Sequence, residues 1–181
     1  MRGWNRQVRR KGFTVIELLV AVAMAAILIA ASMPFFLGTI QRSRFDGAVR
    51  QIVSDVREAR SRAITTRWQY RIFGYNVGAS SAFRNQYRFM ARSSATAGWP
   101  ADTAAPFQSA TQMAGQWINI NTLYPGVRLN PQDGTPRFWV AFDARGAAFE
   151  IDGSFDPLVV AGQTGATKSL RVSVAGSIRV Q

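Results

Sequence analysis

The sequence predicts an α+β protein: one long N-terminal helix, its first half transmembrane and its second half amphipathic, packed on a C-terminal antiparallel β-sheet domain. Three observations predict it. A twenty-residue apolar run follows a basic leader. A stripe of apolar residues at three- and four-residue steps continues directly from that run. Beyond residue 67 the pattern changes to short alternating segments separated by Gly, Pro, Asn and Asp, the punctuation of hairpins.

The leader comprises residues 1–12. Arg2, Arg6, Arg9, Arg10 and Lys11 precede Phe13 with no acid among them. From Leu18 to Leu37 every residue except Ser32 and Pro34 is apolar. Twenty helical residues cover about 30 Å, the thickness of a hydrocarbon core. Cations ahead of such a span keep the N-terminus cytoplasmic and send the rest outward. Three readings share this pattern: a secretory signal cut near Ala30-Ala31-Ser32, an uncut signal anchor, and cleavage ahead of the span between Gly12 and Phe13. Glu17 is the odd member. A carboxylate in a spanning helix costs roughly 2.5–3.5 kcal/mol, so it calls for a partner and a role.

The predicted membrane and assembly helix occupies residues 13–40, and an outer domain residues 41–181. Pro34, which lacks a backbone donor, and Gly38 predict a kink or melted turn near the outer membrane face. Phe45, Val49, Ile52, Val53, Val56, Ala59, Ala63 and Ile64 then form an apolar stripe, so helix is expected to about residue 66. Asp46 with Arg50 and Glu58 with Arg62 have ion-pair spacing, each pair contributing about 0.3 kcal/mol. Arg42, Arg44, Arg57, Arg60 and Arg67 are expected on the solvated side.

The β-domain is expected over residues 67–181. Strand patterns stand at residues 68–73, 86–90, 117–120, 138–142, 147–151, 170–174 and 177–180. Gly146 and Gly176 mark the turns of two hairpins. Residues 93–116, rich in Ala, Ser and Thr with Pro100 and Pro106, are expected to form a long surface loop.

Composition narrows the chemistry. With no cysteine and no histidine among 181 residues, disulfides, the usual nucleophile–base pairs and zinc sites cannot be built. Asp152 and Asp156 flank a turn that suits calcium oxygen chemistry but lacks the EF-hand pattern. No glycine-rich phosphate loop follows a strand. Enzymatic activity, a metal, a cofactor and a small-molecule substrate are therefore not expected. Net charge is +12; without the five leader cations, seventeen basic residues face ten acidic ones, leaving +7. A basic surface favours nucleic acid or anionic lipid.

Lys11-Gly12-Phe13-Thr14-Val15-Ile16-Glu17-Leu18-Leu19-Val20 resembles the processing signature of type IV pilins and type II secretion pseudopilins. The resemblance implies that a prepilin peptidase cuts between Gly12 and Phe13 and methylates the amino group of Phe13. It implies that Glu17, fifth after the cut, serves assembly by meeting a neighbour's terminal ammonium. The two C-terminal hairpins are similar to those of the GspH/FimT group, the minor pseudopilin H of type II secretion and the FimT-like minor pilins. The implied function is a structural minor pseudopilin near the pseudopilus tip, aiding protein export. The alternative is a FimT-like minor pilin of a type IV pilus, with DNA as a ligand. Implied partners are other pseudopilins or pilins, the peptidase, an inner-membrane assembly platform and membrane lipid. The implied location is the inner membrane, single-pass, with the globular domain periplasmic. Some FimT-like pilins contact DNA through Gly-Arg-x-Arg; here Gly176-Ser177-Ile178-Arg179 has serine for the first arginine, which leaves Arg171 and Arg179 as the candidate contacts.

Overall fold

The computed structural model describes residues 13–131, 135–151, 158–163 and 165–181. Helix α1 spans Val15–Thr66, close to the extent that the periodicity predicts. The chain divides into two compact units, Met1–Thr39 and Ile40–Gln181. Within the first, α1 is long and apolar enough to cross a membrane, and its apolar side chains from Val15 to Leu37 lie exposed wherever they are described. The backbone is helical at positions 34 and 38. The side chain of Pro34 lies outside the described residues.

In the second unit, the amphipathic half of α1 buries Phe45, Val49, Ile52, Val53, Val56, Ala59 and Ala63. Ile64 departs from the expected stripe and remains exposed. At the end of the helix Arg67 takes a left-handed conformation (φ 61°), the position where glycine is the usual helix stop.

The expected antiparallel domain follows as two sheets. The first runs in the order β3 (Phe107–Gln108), β4 (Gln112–Ala114), β2 (Gln86–Arg92), β1 (Gln69–Tyr75), β7 (Arg137–Phe142) and β8 (Ala148–Ile151), with β5 (Ile118–Asn119) also paired to β2. The second has the order β11 (Ile178–Val180), β10 (Thr167–Val172), β9 (Leu158–Ala161) and β6 (Arg128–Pro131). Strand alternation sends Tyr70, Ile72, Tyr87, Ala91, Phe138, Val140 and Phe142 of the first sheet inward. Leu129, Leu158, Val160, Leu170 and Val172 of the second complete the same core beneath the helix.

Four expectations are corrected. The 93–116 segment is not an unstructured loop: it holds a short 3-10 turn at Ala95–Ala97 and the β3–β4 pair, which extends the first sheet. The strand expected at 117–120 stops at Asn119, whose side chain caps the short helix α2 (Ile120–Leu123) by accepting from the N–H groups of Asn121 and Thr122. Asp46 accepts from Lys168 Nζ at 2.8 Å, so its hydrogen-bonded ion pair is with β10 and not with Arg50. Arg60 turns away from solvent and donates to the carbonyls of Gly146 and Ala175. The Glu58–Arg62 pair forms as expected at 2.6 Å.

Candidate functional site

Gly12 lies outside the described residues, whereas Phe13 is described and 89 % exposed. Thr14 and Glu17 close a reciprocal capping box around the first turn of α1. Thr14 N–H and Oγ1 donate to Glu17 Oε2 at 2.9 and 3.1 Å, and Glu17 N–H donates to Thr14 Oγ1 at 3.3 Å. Such a cap satisfies donors that the helix cannot satisfy itself and is worth about 1 kcal/mol. The carboxylate also sits where the helix dipole favours negative charge. Glu17 therefore has a partner within its own turn, in addition to any it finds outside the chain. Thr14 was readable as Thr-x-x-Glu in the sequence, but the processing signature covers the same residues and hides it.

The candidate cations at the C-terminus are brought together. Arg171 of β10 lies directly opposite Arg179 of β11, in register. Both line a groove of about 350 Å³ with Val172, Ser173 and Ser177. Ser173 and Ser177 exchange a hydroxyl hydrogen bond of 2.7 Å. Like charges directly across a strand pair repel. The strand–glycine–strand pattern signals the hairpin; the two serines could be found only from its register. The calcium candidates Asp152 and Asp156 lie outside the described residues. Among the described residues no cluster of acidic side chains has metal-binding geometry.

The outer face of the first sheet, turned from the helix, holds an arginine–aromatic layer that the sequence did not single out. Phe73 stacks on its cross-strand neighbour Trp139 with ring centroids 6.2 Å apart, and Tyr75 meets Phe73 edge-on at 5.3 Å. Trp117 stacks on Phe83 at 4.4 Å. Arg88, fully buried, lies 4.9 Å above the Trp117 ring and donates to Ala104 O at 2.7 Å. Burial pushes the Arg88 pKa down from the usual guanidinium value. Arg71 and Arg92 flank Trp99 at 4.6 and 4.3 Å. Asp102 accepts from both Arg71 (3.1 Å) and Arg137 (3.0 Å), tying the 93–116 segment down onto this face.

Residues 8–33 match the family model described as the prokaryotic N-terminal methylation motif. No curated protein matches the chain. Two solved structures are similar to it, both crystal forms of the type IV minor pilin FimU of Pseudomonas aeruginosa strain PAO1. The P21 form is 13 % identical, covers 77 % of this chain and 90 % of its own, and has a TM-score of 0.46. The P65 form is also 13 % identical, covers 75 % and 91 %, and has a TM-score of 0.42.

Proposed function

We propose that the chain is a structural minor pilin-like subunit of an envelope filament, and specifically a minor pseudopilin of a type II secretion system that helps export folded proteins. The observation that carries this reading is the methylation motif seated at the head of the long apolar helix, with Glu17 in the first turn. Cleavage between Gly12 and Phe13 would free the amino group of Phe13, four residues from Glu17, which the peptidase would then methylate. In a bundle of such helices the carboxylate of one subunit meets the ammonium of the next in a low-dielectric setting. There an unpaired charge is severely penalised, so the pairing selects one axial register. Pro34 and Gly38 supply the proposed bend between the lipid-embedded and outer halves of the helix. The subunit sits in the inner membrane with its β-domain in the periplasm and works with sister subunits, the peptidase and the assembly platform.

Mass spectrometry of the protein extracted from membranes tests the processing step, with methylated Phe13 expected as the first residue. A chain beginning at Met1 or Arg2 removes the ammonium and with it the proposal. Co-purification with sister subunits tests assembly, and Glu17→Ala is expected to abolish it. Loss of exported protein on deletion, with DNA uptake intact, supports the secretion machine over a pilus.

A second reading, a type IV minor pilin that binds DNA, is favoured by the Arg171–Arg179 juxtaposition in a serine-lined groove. Band-shift titration with duplex DNA over a salt series tests it. Binding that weakens with salt and is lost in Arg179→Ala supports it.

A further inference from the structure

Among the described residues, Arg88 is the largest side chain that is fully buried. It stands in β2 opposite Phe73 of β1, on the sheet face turned from the helix. The 93–116 segment reaches it through Ala104 O, which accepts from Nη1 at 2.7 Å. The other edge of the guanidinium carries the argument. Its Nε–H and one Nη2–H run parallel and form the fork that grips a planar anion through two bonds. Both nitrogens are buried, and neither has a hydrogen-bond partner among the described residues.

The surroundings select the occupant by hydrogen-bond sign. The Trp117 indole, whose ring centre lies 4.9 Å from Arg88 Cζ, also holds a buried, unpartnered N–H. Guanidinium and indole donate and never accept. A water accepting from the fork would bring two protons of its own, for which Arg88 and Trp117 offer no acceptor. An anion brings none, and its bonds to a cationic donor are roughly twice as strong as neutral ones. Charge points the same way. The one carboxylate whose field supports the Arg88 cation is Asp102, already shared between Arg71 at 3.1 Å and Arg137 at 3.0 Å. A buried charge without a partner of its own is severely penalised.

We infer that Arg88 binds one small monovalent anion, of the chloride or nitrate class, on its Nε and Nη2 edge beneath the 93–116 segment. The ion supplies the counter-charge. With Ala104 O on the opposite side of the same guanidinium, it braces the segment against the sheet. The site uses no residue assigned to processing, assembly or the C-terminal groove, so it stands or falls separately from the filament role.

Thermal melts and hydrogen exchange of the full-length protein in a neutral detergent test the site. Sodium gluconate, too bulky for a buried fork, is replaced stepwise by sodium chloride or sodium nitrate at constant ionic strength, which keeps screening of the surface arginines fixed. With at least one of the two, the melting temperature is expected to rise by about 3 °C or more and then level off. That is the effect of reaching about ten times the dissociation constant in a chain of this size. Arg84→Gln, which removes an exposed arginine of the β1–β2 connection, should keep the rise. Arg88→Met should lose it. In the wild type, where no variant has to fold, the effective anion should slow exchange of the 93–116 amides by about tenfold, since the ion must leave before the segment opens. A melting temperature that rises with neither anion overturns the inference. A rise that persists in Arg88→Met, or added protection that spares 93–116, overturns it by locating the ion elsewhere.

Discussion

Gly146 and Gly176 lie turn against turn. Both have left-handed backbones (φ 78° and 75°), and a Cβ on Gly176 would overlap the carbonyl oxygen of Gly146. Arg60 of α1 seals the junction by donating to Gly146 O at 2.9 Å and to Ala175 O at 3.2 Å. One helical side chain thus holds the β7–β8 turn and the β10–β11 turn together.

Gly176→Ala should therefore destabilise the protein by about 2 kcal/mol or more, from the left-handed backbone and the steric overlap together. Arg60→Ala should cost on the order of 1–3 kcal/mol through lost charge-assisted hydrogen bonds. The double variant should lose less than the sum, because both changes open the same junction. Urea unfolding of the three variants measures this.

Asp55 of α1 predicts a pH effect. Its carboxylate is buried and accepts from Tyr87 Oη and from Gln51 Nε2, the latter at 2.9 Å. Burial raises its pKa; the bonds from Tyr87 and Gln51 oppose the rise without cancelling it. A folded-state pKa above the unfolded one gives stability that is present at low pH and lost as pH climbs through the raised value. Asp55→Asn does not titrate. The melting temperature of the variant relative to wild type should therefore rise from pH 3 to pH 7. Asp143 works in the opposite direction, since desolvation raises its carboxyl while bonds from Ala147 and Arg145 bring it down overall. It is present in both proteins and cancels from the difference.

Asn85 joins the two sheets. Its side chain donates to Val127 O at 3.0 Å and accepts from Leu129 N–H at 2.8 Å, so it stands in for a peptide beside β6. Asn85→Ala leaves both backbone groups buried without these partners and should cost about 2–4 kcal/mol. Asn85→Asp should be similarly harmful, because it cannot donate to Val127. Thermal melts of the two variants test the point.

Arg88 makes a different forecast. Its Nε and Nη2 atoms have no hydrogen-bond partner among the described residues, although the side chain is fully buried. Replacing a buried charge by an apolar side chain of similar length is often neutral or stabilising. Arg88→Met should accordingly keep or raise the melting temperature, whereas Arg71→Met should lower it through loss of the Asp102 bridge.

The helix and the strong strands were legible because their burial follows a fixed period. Phe45 to Ala63 repeats at the helical step, and Tyr70, Ile72 and Val140 alternate along their strands. Strands β6 and β9 were not legible. Arg128-Leu-Asn-Pro131 is short and ends in a proline, and Leu158-Val-Val-Ala161 is an unbroken apolar run without alternation; β6 exists through its pairing with β9, which pairs on its other side with β10. The 93–116 segment departs from the expected loop for a related reason. Its order comes from Asp102 and from bonds such as Gln112 Nε2 to Ala97 O at 2.8 Å, which no local pattern encodes. At the candidate sites, Glu17 stands out as a lone carboxylate beside the apolar run, and the two terminal arginines follow from the resemblance of residues 176–179 to a Gly-Arg-x-Arg ending. The cross-strand register that sets Arg171 against Arg179 belongs to the fold alone.

Gln181 is not a loose end. Its N–H donates to Ser169 O and Ser169 N–H donates to Gln181 O, both at 2.9 Å, so this position is stitched into the sheet. An epitope or purification handle placed directly after it would prolong an edge strand and crowd the arginine groove beside it. Reporters for cellular work belong behind a flexible spacer, or in the exposed Ser109–Thr111 bend of the β3–β4 hairpin, where side chains already face water.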